Sequence, residues 1–129
     1  TEGAMAFSKG LGAVHSMSHA IGADQELKLH HGTLNAVILP TVLRFNKEHV
    51  GDKYSKITRA MGRKDSQDIA EIIENLNVEI GLPRGLKEMG VTEKMIPDLI
   101  DHSVADPSNA TTPRLPNRKE WEQLFLDAM

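Results

Sequence analysis

The stretch Gly10-Leu-Gly-Ala-Val-His15-Ser-Met-Ser-His19-Ala-Ile21 decides the fold class, because apolar side chains recur in it at Leu11, Val14, Met17 and Ile21. Phe7 extends the series upstream. Spacings of three and four residues mark the buried stripe of an α-helix, and they predict one helix over Ala4 to Ile21. Gly10 and Gly12 lower its intrinsic propensity and point to close packing where they fall.

Working outward, Gly22 to His30 is polar and breaks the periodicity, which predicts a loop ending where Thr33 or Gly32 can cap the next helix. Leu34 to Glu48 is apolar nearly all round and reads as a buried helix that Pro40 should bend or interrupt, with a strand over Ala36 to Leu39 as the competing reading. Two amphipathic helices follow: Tyr54, Ile57 and Met61 carry the first, and Ile69, Ile72, Ile73, Leu76 and Ile80 the second, behind an acidic start at Asp65. Gly81-Leu82-Pro83 stops it, Leu86 to Met89 is a short turn closed by Gly90, and Thr92-Glu93 opens a helix through Ile96, Leu99 and Ile100. Asp106 to Asn117, with three prolines, is a surface loop, and Asn117 caps a last helix bearing Trp121, Leu124, Phe125 and Ala128. The sum is an all-α, bundle-like single domain over residues 1–129, with about six or seven helices.

Length and charge narrow the function. At 129 residues the chain can bury a core but is short for a two-domain, cofactor-dependent enzyme. Its 15 basic and 18 acidic residues give 15 − 18 = −3, with no basic run, so nucleic acid is not an expected partner. Cysteine is absent, so a metal would have to use His, Asp, Glu or water, and the composition accords with a reducing, cytoplasmic setting. The longest apolar run, Ala36 to Leu43, contains Pro40 and is too short to span a bilayer, and no membrane association is expected. The chain opens at Thr1 and runs almost at once into helix-like sequence, as expected of a fragment.

Four of the six histidines, His15, His19, His30 and His31, fall within this opening region. Imidazole is the commonest neutral metal ligand and titrates near neutrality, so the cluster suggests a metal or proton-transfer site. On a helix, His15 and His19 would project from one face, one turn apart. A merely packed or solvated pair is the competing reading. Asp98 and His102 share the four-residue spacing but lie on a polar helix face with Lys94, which favours simple solvation. His49 suits a helix C-terminus before Gly51. Gly10 and Gly12 form no dinucleotide fingerprint, and Ser16 or Ser18 beside His19 lacks a nucleophile elbow.

Lys9 to Ala23, His31-Gly-Thr-Leu-Asn-Ala-Val-Ile-Leu-Pro40 and Arg44-Phe-Asn46 together resemble the iron-containing (group III) alcohol dehydrogenases. In that family these segments belong to a C-terminal, all-helical, metal-binding domain. The resemblance implies that His15 and His31 are two of the metal ligands, with His30, standing where the family usually has proline, as the alternative to His31. It implies that His19 is the active-site residue beside the nicotinamide, associated with proton transfer. This chain has Ala20 where proline is frequent and a slightly longer loop between His19 and His31.

The family's remaining ligands, an aspartate and a histidine separated by three residues, lie upstream, as does its nucleotide-binding domain, and neither is found here. Asp98 and His102 lie downstream, so the ligand role does not transfer to them. The implied activity is NAD(P)-linked interconversion of an alcohol with an aldehyde or ketone, using Fe2+ or Zn2+. This chain would supply an incomplete site, inactive alone and prone to self-association for want of the N-terminal domain. The rival expectation is a free-standing helical metal-binding or protein-interaction module without redox activity.

Overall fold

The computed structural model describes residues 5, 8–24 and 27–129. Among them are six α-helices and no strand: α1 (Ala13–Gly22), α2 (His31–Asn46), α3 (Lys53–Ala60), α4 (Ile69–Glu79), α5 (Ile96–Ala105) and α6 (Arg118–Asp127). Short 3-10 turns at Lys47–His49, Leu86–Met89, Glu93–Met95 and Pro107–Thr111 join them. The all-α class follows the hydrophobic periodicity.

The helix predicted over Ala4 to Ile21 is not continuous: residues 8–12 leave helical backbone and α1 begins at Ala13. Gly12 takes an extended backbone at the N-cap and Gly10 sits at φ +101°, a left-handed conformation that glycine tolerates best. A side chain at Gly10 would also collide with Thr111, whose hydroxyl donates to the Leu11 carbonyl. The two glycines therefore end the upstream pattern and admit the 107–111 turn against the start of α1. Phe7 and most of the predicted first turns lie outside the described residues.

α2 begins at His31, with His30 rather than Thr33 or Gly32 at the N-cap and no side-chain capping bond. It runs through Pro40 instead of breaking there. Proline has no N–H to offer the carbonyl four residues earlier, so the Ala36 oxygen loses its intrahelical partner. Buried Asn77 of α4 restores that bond, its Nδ2 donating to Ala36 O at 2.8 Å. An Arg44–Glu74 fork, both bonds 2.6 Å, links the same two helices outside. The strand alternative over Ala36 to Leu39 is not adopted.

α1 packs against α2 and α5, α2 against α4, and α6 covers α5. The core they enclose includes Met17, Ile21, Leu34, Ile38, Leu86, Trp121 and Phe125, all essentially inaccessible. Asn117 closes α6 with a reciprocal capping box to Glu120, as its position predicts. Among the described residues, no helix is long and apolar enough to cross a membrane.

Candidate functional site

Burying Ser16, Met17, Ser18, Ala20 and Ile21 turns the opposite edge of α1 outward, and that edge carries His15 and His19. The first turn of α2 sets His31 against them. The three rings form a triangle, with centroids 5.7 Å apart for His15–His19, 5.3 Å for His15–His31 and 5.3 Å for His19–His31. The last pair is stacked, with 17° between the ring planes.

Asn35, one turn beyond His31, ties the triangle together. Its Nδ2 lies 3.0 Å from His31 Nε2 and 3.4 Å from His15 Nε2. Both Nε2 atoms thus face one amide, as acceptors where its NH2 is turned toward them. The other side of His31 agrees: Ser18 Oγ donates to the His15 carbonyl and lies 3.4 Å from His31 Nδ1, placed to accept its proton. Two imidazole Nε2 atoms therefore point at one small region. Burial first, then the neighbouring His31 and His19, holds the His15 pKa below the usual imidazole range, partly offset by Asp106. That favours the neutral, ligating form.

His19 is turned differently. Its Nδ1 lies 2.9 Å from Oδ2 of Asp106, the residue that caps the 107–111 turn. Burial pushes the Asp106 carboxyl up, but bonds from the Ser108 hydroxyl and backbone N–H, and then from His19, outweigh it and hold the group below the ordinary carboxylate range. Beside the triangle opens a cavity of about 540 Å³, whose walls include Leu11, Val14, His15, Asn35, Leu39 and Asn46. The Oδ1 atoms of Asn35 and Asn46 are buried there without a protein partner among the described residues. A mostly apolar cleft with a few unspent polar atoms suits a small organic ligand.

Of the predicted histidines, the structure brings His15, His19 and His31 together and leaves His30 exposed at the N-cap, with no ring contact to the three among the described residues. Asp98 and His102 line a separate surface depression with Lys94 and Asp24. His49 is exposed in its 3-10 turn. Sequence reading missed Asn35 and Asp106. The four-residue step from His31 could have flagged Asn35; nothing local points from Asp106 to His19, 87 positions away.

Two converging imidazoles suit a divalent first-row metal, yet a catalytic site normally has at least three protein ligands. Among the described residues no group of three His, Asp or Glu side chains could hold one ion. The donors present fit such a metal as part of a larger set.

Comparison with known proteins accords with that incompleteness. A family model, Fe-containing alcohol dehydrogenase family, C-terminal, matches residues 2–129. The chain is 42% identical over 135 residues to 4-hydroxybutyrate dehydrogenase of Cupriavidus necator, covering 99% of this chain and 35% of that protein. It is 35% identical to lactaldehyde reductase of Escherichia coli (strain K12), covering 96% and 34% respectively. The solved structure of a 1,3-propanediol oxidoreductase superposes with a TM-score of 0.83 at 30% identity, over 92% of this chain and 33% of that one. The chain thus spans about a third of the length of the relatives it matches. With the helical architecture and the match over residues 2–129, the chain belongs to the iron-containing alcohol dehydrogenase family and corresponds to its C-terminal part.

Proposed function

We propose that residues 1–129 are one helical domain of a longer, NAD(P)-linked alcohol dehydrogenase, contributing two ligands of a divalent metal, Fe2+ or Zn2+, through His15 and His31. The observation that carries this reading is the convergence of two imidazole Nε2 atoms from different helices on the single Asn35 amide. When bound, the metal supplies Lewis-acid stabilisation of negative charge on the substrate oxygen. The remaining ligands and the nucleotide-binding surface come from sequence outside these residues.

The chain's own groups have distinct tasks in this reading. Leu11, Val14 and Leu39 give the cavity an apolar wall for the substrate's carbon chain. His19, the residue that the family resemblance sets beside the nicotinamide, accepts the alcohol proton on Nε2 in this reading. Its side chain is 41% exposed, so the proton can pass on to water. Small alcohols are the substrate class, and 4-hydroxybutyrate is the first to try because of the Cupriavidus relative.

The test is an assay of the isolated chain with NAD+ or NADP+, Fe2+ or Zn2+, and 4-hydroxybutyrate or simple alcohols. No turnover is expected, since two ligands leave the metal weakly held and no described element offers a dinucleotide site. Sustained turnover by the 129-residue chain would overturn the domain reading.

A further inference from the structure

Asp106 has the makings of a built device. In the other ion pairs the acids are more open to solvent; Asp52, for example, is 71% exposed and Asp101 61%, whereas the Asp106 side chain is 13% exposed. Both carboxylate oxygens are committed. Oδ1 accepts from Ser108 N at 2.8 Å, and Oδ2 faces His19 Nδ1 at 2.9 Å. Pro107 disfavours helical backbone at the preceding residue, and Asp106 accordingly sits at φ −71°, ψ 129°.

The turn that carries Asp106 is fastened along α1. Fully buried Ser16 donates to Asn109 Oδ1 at 2.8 Å, Asn109 Nδ2 donates to Ser103 O at 2.7 Å, and Thr111 donates to Leu11 O. Contacts at Leu11, just before α1, and at Ser16 and His19 within it thus tie this turn to the helix. The carboxylate is held from both sides before it meets the imidazole.

Resting on the reading of His19 given above, we propose that Asp106 is a positioning residue: it locks the neutral His19 ring in the Nδ1–H tautomer and leaves Nε2 as the ring's free acceptor. An ionised carboxylate only accepts, so a proton must lie on the nitrogen that faces it. Nε2 is then free of hydrogen and, with the ring stacked on His31, fixed in direction. Loss of the carboxylate would free both the tautomer and the ring rotation, so the correct acceptor would be present only part of the time.

Asp106→Asn gives a sharp test because the cap dictates how the amide sits. Its Oδ1 must still accept from Ser108 N–H, which leaves Nδ2, a donor, facing His19 Nδ1. The tautomer should invert. In the 15N-labelled chain at about pH 8.5, where ordinary imidazoles are neutral, two-bond 1H–15N correlation spectra, assigned to His19 by comparison with His19→Gln, should show protonated Nδ1 and bare Nε2. Asp106→Asn should show the reverse, and Asp106→Glu, with a carboxylate retained, should keep the original pattern. Helical circular dichroism and Trp121 fluorescence verify the fold of each variant. A His19 that carries its proton on Nε2 in the parent chain, or an unchanged tautomer in folded Asp106→Asn, overturns the lock.

In the complete dehydrogenase, Asp106→Asn should lower kcat at least about tenfold, a part of the roughly 10²–10⁴-fold that general acid–base catalysis contributes, with KM little changed. Added to His19→Gln, it should cost nothing more. An unchanged kcat in Asp106→Asn beside a large loss in His19→Gln overturns the positioning role. An unchanged kcat in His19→Gln removes the role read for His19, and the positioning role with it, while the tautomer spectra still report the lock itself.

Discussion

Single residues show most clearly what local sequence can and cannot reveal. The stripe Val14, Met17, Ile21 fixes which side of α1 is buried, and with it the outward placement of His15 and His19, so two of the three histidines in the triangle follow from spacing alone. His31 joins it through tertiary packing, and Asp106 reaches His19 across a fold that no periodicity encodes. Tyr54 offers an independent check of side-chain burial. It is the chain's one tyrosine, its hydroxyl donates to Leu43 O at 3.0 Å, and burial pushes its pKa up to about 12. A raised folded pKa means that the stabilisation is complete below the ordinary value of about 10 and is lost as pH rises toward the folded value. Absorbance of tyrosinate should therefore grow in near pH 12, together with alkaline unfolding, whereas a midpoint near 10 in folded protein would contradict the burial.

At the scale of the element, helix identity was legible throughout and helix ends were not always. Asn117 announces the start of α6, because Asn after a proline-rich loop and before a helical stripe is a local signal, and the structure adds its reciprocal box with Glu120. The start of α1 was misplaced by the upstream stripe, since periodicity does not report that Gly10 and Gly12 leave helical backbone at a contact with a distant turn. Pro40 was read as a bend or break, and the missing information was Asn77, 41 positions from the carbonyl it serves. Removing that amide by Asn77→Ala should destabilise the chain by about 1–3 kcal/mol, the usual cost of an unpaired buried group. In a Pro40→Ala background, where residue 40 regains an N–H for Ala36, the same substitution should cost measurably less. Urea unfolding of the four-member cycle measures the coupling, and strictly additive losses would show that Asn77 does not repair the proline gap.

For the whole molecule, the core built from α1, α2, α5 and α6 is what holds the two ligand-bearing helices in register. Phe125 is fully buried in it, and Phe125→Ala should cost about 3–5 kcal/mol through lost burial and an unfilled cavity. Denaturant unfolding checks this, and a loss under about 1 kcal/mol would show that the α6 contact is not part of the core. The central claim is that His15 and His31, but not His30, are the ligands this domain brings to a shared metal. Its most direct test is calorimetric titration of the chain with Zn2+ beside His15→Ala, His31→Ala and His30→Ala. Binding should be weak, should fall at least about tenfold, the scale of losses at metal sites, in the first two variants, and should be unchanged in the third. Equal affinity in the parent, His15→Ala and His31→Ala chains would contradict that claim.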